Sequence, residues 1–482
     1  MSFLSGNFGL FLVLCLCLYY AVPLGWRRAV LLLFSLGFYA SWSVWHTGGL
    51  LLLVALVHWT AGGLAPGVVQ RRRRFCLGGG VAALLGLLIF FKCAQQVVQA
   101  WPGAAGSAGF DLAALLVIPL GLSYYIFKLL GYLLDVYWEK VPVQRDFLSL
   151  ALYASFFPQI VSGPIQRAGD FFDQLAGLGQ PSVGQVTTGL QRMLFGVFKK
   201  VVIADQLALI VDRLFANPAG YSSLELLIGA YCYAMQLYAD FSGLTDLALG
   251  LGMLFGITGP ENFNQPYLAR NLQEFWRRWH MSLTSWLGDY LFLPLRMGLR
   301  HLGNTGLALA LLGNMLAVAL WHGLTWTYLI FGVLNGVFIV VSALTLRQRN
   351  AFFKRHARLQ PARSIWSPVA TFHLFVFALI FFRAADLGAA LGYVTHLIPG
   401  LDHSIPATRL HWAIPGLTRT RFLLALGSLA LLEGLTWFRL NRARLDPLLL
   451  WPRWPRWTLY YAMILLVFVS ARQTQSFIYG HF

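Results

Sequence analysis

Residues 261–282 read ENFNQPYLARNLQEFWRRWHMS, and residues 320–323 read LWHG. These two stretches gather asparagine, arginine and histidine in a chain that is otherwise apolar. Polar and ionisable groups are costly in hydrocarbon, so where they occur within membrane segments they indicate a functional site. The two stretches therefore predict a polar site that membrane helices hold in place.

The composition predicts the class of protein around that site. Of the 482 residues, 58% are hydrophobic and 11% are charged, whereas a soluble protein carries roughly a quarter charged residues. Long apolar runs separated by short polar loops are typical of membrane-spanning helices. We expect an all-α polytopic membrane protein with about 10 to 12 transmembrane or re-entrant helices, in one domain over residues 1–482.

The formal net charge is +18, which alone could suggest a nucleic-acid partner. The basic residues are clustered between apolar runs, however, and cytoplasmic loops of membrane proteins carry such an excess of arginine and lysine. We therefore expect no nucleic acid, and a chain in the bacterial inner membrane with both termini in the periplasm. The clusters that would face the cytoplasm are residues 27–28, 71–74, 347–363 and 439–456.

Several segments carry more specific predictions. Residues 147–165 are too short and too broken by proline and glycine for a span, so a re-entrant or interfacial element fits them better. Residues 272–297 read as a helix with aromatics on one face and arginine and histidine interleaved, which lies shallow in the membrane or packs among other helices. Asp240 and Asp246 are six apart and fall on different helix faces, which argues against a shared proton and favours an arginine partner for Asp246.

His322 is the first candidate for chemistry. A single histidine in a membrane segment is more often a hydrogen-bonded packing residue than a catalyst. Two features favour a role for this one: Gly323 permits close approach, and Asn314 lies about two turns earlier, where it could orient the imidazole. A neutral imidazole in a water-poor cavity can take a proton from a hydroxyl as a general base.

His280 is the second candidate. Its alternative is an interfacial histidine on a helix of tryptophans and arginines, which favour the headgroup region. The chain has no recognisable serine-nucleophile motif, no HExxH and no phosphate-binding loop, and its five cysteines lack metal-ligand spacing. We therefore expect no metal and no bound cofactor.

Six blocks occur in one order along the chain, and together they carry a resemblance. The first is SFFPQIVSGPI at 155–165, followed by KKVVIAD at 199–205 and YADFSGLTD at 238–246. The last three are residues 262–267, 275–283 and 321–323. This set resembles the membrane-bound O-acyltransferase family, in the branch that contains the bacterial alginate O-acetylation membrane protein and the teichoic-acid D-alanyl transferase.

The resemblance implies helices around a central polar tunnel, with His322 as the catalytic histidine and His280 as the second signature histidine. It also implies acetyl-CoA as the acyl donor on the cytoplasmic side. Substrate-binding or orienting roles are predicted for Asn314, Trp321, Arg277 and Asn264.

The expected function is the transfer of an acyl group, acetyl by preference, across the inner membrane for O-acetylation of an exported polysaccharide such as alginate. The expected partners are a periplasmic esterase-like acetyltransferase, a polysaccharide synthesis and export complex, and membrane lipid. Two alternatives stay open: a transporter or flippase for a polysaccharide precursor, and a non-catalytic scaffold of an export complex. The transporter would not need the WHG block at 321–323.

Overall fold

A computed structural model of the protein describes residues 1–100, 116–398, 419–441, 452–471 and 477–478. Helices make up nearly all of the secondary structure in these ranges, and one isolated antiparallel bridge is the sole β pairing among them. This confirms the all-α class. Within the described residues, five helical stretches are long and apolar enough to cross a membrane: Val44–Gly62, Gln70–Gln96, Arg300–His322, Trp326–Leu344 and Ala357–Arg383. The total of 10 to 12 membrane elements stays a prediction.

The described residues fall into two compact units, of which the first covers Met1–Met193 and Thr245–Pro260 and the second Leu194–Leu244 and Glu261–Ile478. The single domain over residues 1–482 stays a prediction. The helices up to residue 176 are α1 Gly6–Ala21, α2 Arg27–Ala40, α3 Val44–Gly62, α4 Gln70–Ala100, α5 Leu122–Tyr137, α6 Phe147–Ser155, α7 Phe157–Ile160 and α8 Ala168–Ala176.

The remaining helices are α9 Val183–Phe198, α10 Asp205–Ala216, α11 Ser223–Leu254, α12 Leu272–Trp276, α13 Met281–Leu287, α14 Leu293–Gly298, α15 Gly303–His322, α16 Trp326–Leu344, α17 Leu346–Arg355, α18 Gln360–Arg383, α19 Leu387–Leu397, α20 Arg419–Asn441 and α21 Arg453–Ser470. Wide π-helical segments join α9 to α10 over Lys199–Ala204 and α13 to α14 over Gly288–Phe292.

The segment predicted to be broken is broken in the structure. Residues 147–165 form α6 and α7, two short helices separated at Phe156. Gln159 on α7 is buried, and its amide accepts from the ammonium of Lys128 at 3.2 Å and donates to Gln166 at 2.7 Å. Gln166 in turn donates to the carbonyl of Thr258 at 2.8 Å. This chain of hydrogen bonds satisfies polar groups that the break places in the interior of the first unit.

Asp246 and Asp240 have the separate roles that their spacing predicts. Within the first unit, Arg192 donates to Asp246 at 2.9 Å, which confirms an arginine partner for that carboxylate. Within the second unit, Asp240 binds Lys200 at 2.7 Å. Two carboxylates with different cations do not share a proton.

Lys200 is the centre of a buried ionic cluster in the second unit. Its ammonium lies 2.7 Å from Asp240 and 2.9 Å from Asp205, and the side chains of all three residues are only 2% exposed. The second oxygen of Asp240 accepts from the backbone N–H of Ile478 at 2.8 Å. Lys200 lies in the π-helical segment, and Asp205 follows it five residues later. Because a π-helical turn closes with hydrogen bonds between residues five apart, it brings the carboxylate of Asp205 close to the ammonium of Lys200.

Close packing of α15 and α16 fixes the position of the helix that ends at His322. Gly332 and Gly336 on α16 face α15, four residues apart, in the GxxxG spacing that lets membrane helices approach closely. A Cβ atom at Gly332 would lie 2.9 Å from the carbonyl oxygen of Met315, and one at Gly336 would lie 2.7 Å from Leu312. No larger side chain fits at either position without moving α15.

The prediction of one continuous helix over residues 272–297 is wrong. The structure divides it into α12, α13, a π-helical segment and α14, and the main break lies at residues 277–280. Asn271 caps α12 by accepting from the N–H of Glu274 at 2.9 Å. The indole N–H of Trp276 donates to the buried amide of Asn335 on α16 at 3.3 Å, which fastens α12 to that helix. Tertiary contacts therefore override the helical pattern.

Candidate active site

A short antiparallel clasp, formed by residues 262–264 and 278–281, holds His280. Phe263 and Trp279 form the isolated bridge, and the N–H of Asn264 donates to the carbonyl of Arg278 at 3.0 Å. The N–H of Met281 donates back to the carbonyl of Asn262 at 2.9 Å. Backbone pairing of this kind sets the path of the chain on both sides of residue 280.

His280 adopts a left-handed backbone at the start of α13, with φ 44° and ψ 53°. For a residue other than glycine this conformation costs on the order of 1–3 kcal/mol, and such strain concentrates at functional sites. The side chain is 1% exposed, its Nδ1 lies 3.3 Å from Oδ1 of Asn262, and its ring packs edge-on against Phe241 at 4.7 Å between centroids. Burial lowers the pKa of the imidazole to about 3, so the ring is neutral at physiological pH.

His322 is the last residue of α15 and is 6% exposed. Four aromatic rings surround its imidazole: Trp321 and Phe382 each at 4.8 Å, Tyr328 at 5.9 Å and Phe331 at 6.5 Å between centroids. The following residue, Gly323, has extended backbone that any residue could adopt. Its constraint is steric instead, because a Cβ atom there would lie 2.7 Å from the ring of Tyr328. The group that lies close to Gly323 is therefore an aromatic side chain, whereas the sequence predicted backbone or substrate there; approach of a substrate stays a prediction.

Trp321 brings the two histidines into one cluster. Its ring centroid lies 5.6 Å from that of His280 and 4.8 Å from that of His322, and it is 3% exposed. Residues that are 42 positions apart in the chain thus share one indole wall in the interior of the second unit. Polar interactions in such an interior are strengthened by the exclusion of water.

The other predicted site residues lie at varied depths. Asn314 is half-buried on α15, eight residues before His322, and no donor in the described ranges reaches its buried Oδ1. Arg277 is exposed, and its Nε donates to the carbonyl of Gln273 at 3.3 Å. The side chain of Asn264 is also exposed. The substrate-binding or orienting roles of all three stay predictions.

Comparison with known proteins assigns this arrangement to a family. The sequence model of MBOAT, the membrane-bound O-acyltransferase family, matches residues 139–383, which is about half of the chain and includes both histidines, the clasp and the Lys200 cluster. The chain belongs to the membrane-bound O-acyltransferase family. It is therefore a membrane enzyme that transfers acyl groups to oxygen.

Relatives within the membrane-bound O-acyltransferase family include proteins named for surface-polymer acylation. The chain is 34% identical to the probable alginate O-acetylase AlgI of Azotobacter vinelandii, over 79% of this chain and 74% of that protein. It is 32% identical to the peptidoglycan O-acetyltransferase of Helicobacter pylori, over 75% and 72% of the two chains. With the teichoic acid D-alanyltransferase of Bacillus subtilis it is 30% identical over 55% of this chain and 66% of that protein.

Sequence reasoning missed four residues that surround the histidines of this O-acyltransferase. Asn262 and Ser282 contact each other beside His280, and Tyr328 and Phe382 pack on His322. No local signal marks Asn262, because Asn262 and Asn264 stand two apart in NFN and positions two apart in an extended strand lie on the same face. Nothing local marks Phe382, which comes from a helix 60 residues further along the chain.

Proposed function

We propose that the chain transfers an acetyl group from a cytoplasmic acyl donor to a hydroxyl acceptor for the O-acetylation of an exported bacterial polysaccharide, with alginate or a similar exopolysaccharide as the polymer. The observation that carries the proposal is the shared packing of His322 and His280 on Trp321. The names of the alginate and peptidoglycan relatives support the choice of acetyl and of a surface polymer.

His322 acts as the general base in this proposal. The imidazole takes the proton of the acceptor hydroxyl while the hydroxyl oxygen forms a bond to the carbonyl carbon of the thioester donor. The carbon–sulfur bond then breaks, and the leaving thiolate receives the proton from the His322 imidazolium, so that the products are the acyl ester and free thiol and the base is regenerated. The aromatic walls of Trp321, Phe382 and Tyr328 favour this role, because a histidine with few water contacts can stay unprotonated and accept the proton.

Acetyl-CoA is the proposed donor, and its anionic phosphates would be attracted to basic loops such as residues 347–363. The proposed location is the inner membrane, with both termini in the periplasm. The chain carries no recognisable serine nucleophile, which favours a periplasmic esterase-like partner whose serine accepts the acetyl group on its way to the polymer. A polysaccharide synthesis and export complex would supply that polymer.

The variant His322→Gln tests the base. Glutamine keeps hydrogen-bonding groups and approximate size but cannot exchange a proton near neutral pH. General-base catalysis contributes about 10²- to 10⁴-fold, or about 3 to 5 kcal/mol of barrier, so the acetyl content of the exported polymer should fall to background. The matched control is His301→Gln, since His301 is exposed and its loss should leave acetylation unchanged.

Both variants must be present in the membrane at the wild-type level, as judged by immunoblot. Retention of most of the acetylation in His322→Gln would refute the catalytic role of His322 and favour the alternatives, a transporter or a non-catalytic scaffold. A second variant, His280→Ala, tests the partner histidine in the same assay. Wild-type acetylation in that variant would reduce His280 to a packing residue.

A further inference from the structure

Asn262 makes three contacts with the start of α13 through a single atom. Its Oδ1 lies 2.6 Å from Oγ of Ser282, 3.3 Å from the backbone nitrogen of Ser282 and 3.3 Å from Nδ1 of His280. Asn262 is fully buried, with no exposed surface, and Ser282 is 3% exposed. The three contacts therefore exist in an interior where each polar group needs a matched partner.

The backbone contact identifies the atom of Asn262 that faces the histidine. A backbone N–H can only donate, so the atom 3.3 Å from the nitrogen of Ser282 must be the carbonyl oxygen of the amide and not its NH₂ group. Amide orientation is commonly ambiguous, and a neighbour of fixed polarity resolves it. The hydroxyl of Ser282 then donates to the same oxygen.

The oxygen of Asn262 in turn decides the tautomer of His280. An amide oxygen can only accept, so the ring nitrogen that it contacts must carry the proton. A neutral imidazole has one protonated nitrogen, and the other bears a lone pair. With the proton at Nδ1, the lone pair is at Nε2.

Local contacts and burial also fix the orientation of the His280 ring and keep it neutral. The left-handed backbone at residue 280 is held by the N–H of Met281 on the carbonyl of Asn262, and the ring lies between Phe241 and Trp321. Burial keeps the imidazole in its neutral form, since the charged form would lose its hydration. A neutral ring with Nε2 unprotonated accepts hydrogen bonds on that side and cannot donate one.

We propose that Asn262 is a positioning residue that fixes His280 as the Nδ1–H tautomer and thereby makes Nε2 a hydrogen-bond acceptor for a hydroxyl or amide N–H of a substrate. This inference rests on the proposed function, in which His280 belongs to the acyl-transfer site. It assigns His280 the task of orienting a donor group by accepting from it. Stabilisation of the oxyanion of the reacting carbonyl is excluded for Nε2, because that task needs a donor.

The direct test is the tautomer of His280, read by nitrogen-15 solid-state NMR of histidine-labelled protein in lipid bilayers. The signal of His280 is assigned by subtracting the spectrum of His280→Asn, a variant whose asparagine tolerates the left-handed backbone. Wild type should give the protonated-Nδ1 pattern. Asn262→Asp keeps an acceptor in the same place and should keep that pattern, whereas Asn262→Leu removes the acceptor and should lose it.

Acetyl transfer from radiolabelled acetyl-CoA in membrane vesicles gives the functional readout for the same variants. Asn262→Leu should transfer at least about 10-fold more slowly, because a wrong tautomer removes the acceptor at Nε2, and Asn262→Asp should retain transfer. The matched control is Asn304→Leu, at an exposed asparagine near the start of α15, which should match wild type.

A protonated Nε2 in the wild-type spectrum would overturn the inference, as would an unchanged tautomer in Asn262→Leu or the loss of transfer in Asn262→Asp. If Asn262→Leu does not fold, the wild-type and Asn262→Asp spectra still decide. Failure of the proposed function looks different, since wild-type vesicles would then transfer no acetyl group above background, or His322→Gln vesicles would transfer it at the wild-type rate. An inactive His280→Ala beside a fully active Asn262→Leu would refute only the inference.

Discussion

Gly323→Ala places one methyl group against the ring of Tyr328 and should disable the site without unfolding the protein. The backbone at residue 323 is extended, so alanine meets no conformational strain there. Its Cβ would lie 2.7 Å from Cε2 and 2.8 Å from Cδ2 of Tyr328, whereas carbon atoms in contact prefer about 3.5 to 4.0 Å. The ring must therefore retreat by roughly 1 Å.

That displacement reaches His322 by two routes. Tyr328 lies 5.9 Å from His322 and 5.1 Å from Phe382, and Phe382 packs on His322 at 4.8 Å between centroids. A misplacement of about 1 Å at a catalytic group can cost about 10²-fold in rate. We expect Gly323→Ala to lower acyl transfer by about that factor at normal membrane abundance.

The assay is acetyl transfer in membrane vesicles, with Gly313→Ala as the matched control. Gly313 is on the same helix, and a Cβ atom there would meet Leu295 at 3.6 Å, an ordinary contact. In a Tyr328→Ala background the ring is gone, so Gly323→Ala should have no further effect; such non-additivity is expected of residues in contact. Equal rates for Gly323→Ala and wild type would refute the steric argument, as would an additive loss in the double variant.

Two further predictions concern the ionic cluster and the orientation of the chain. Lys200→Met removes the ammonium that Asp205 and Asp240 contact, and it should lower the free energy of unfolding by about 3 to 5 kcal/mol, measured as a lower Tm in detergent. The control Lys354→Met, at an exposed position, should leave the Tm unchanged. An unchanged Tm for Lys200→Met would contradict the stabilising role of the cluster. Reporter tags at Arg72 and Ala357 should report cytoplasmic, and a tag at His403, which lies outside the described residues, should report periplasmic; a cytoplasmic tag at His403 would overturn the orientation.

The sequence predicted the helical class because composition is a strong signal. It singled out the two histidines only through the ordered set of blocks, since a lone histidine is a weak signal, and their catalytic roles stay predictions. Composition alone indicates membrane helices, and the six ordered sequence blocks together indicate the membrane-bound O-acyltransferase family. It also predicted the arginine partner of Asp246, since six residues of spacing separate that carboxylate from Asp240 on a helix.

The parts that were missed depend on distant contacts. The break at residues 277–280 comes from backbone pairing with residues 262–264, which helical periodicity cannot express. Asn262 is buried and Asn264 is exposed, although positions two apart in a regular strand lie on the same face, so strand alternation does not predict which asparagine is buried. Phe382 reaches His322 through the packing of α18 beside α16, a matter of topology that no local pattern encodes.

The left-handed backbone at His280 also limits how this position can change over evolutionary time. Asparagine, aspartate and glycine adopt that conformation at low cost, whereas β-branched residues do not. Of these three, asparagine and aspartate are each one nucleotide away from a histidine codon. Of the other amino acids one nucleotide away, proline cannot adopt a positive φ, and tyrosine, leucine, arginine and glutamine adopt it less readily than asparagine or aspartate; exchange to asparagine or aspartate would therefore be judged almost entirely on chemistry. Selection at this position therefore acts on two separate properties, the backbone conformation of residue 280 and the chemistry of its imidazole.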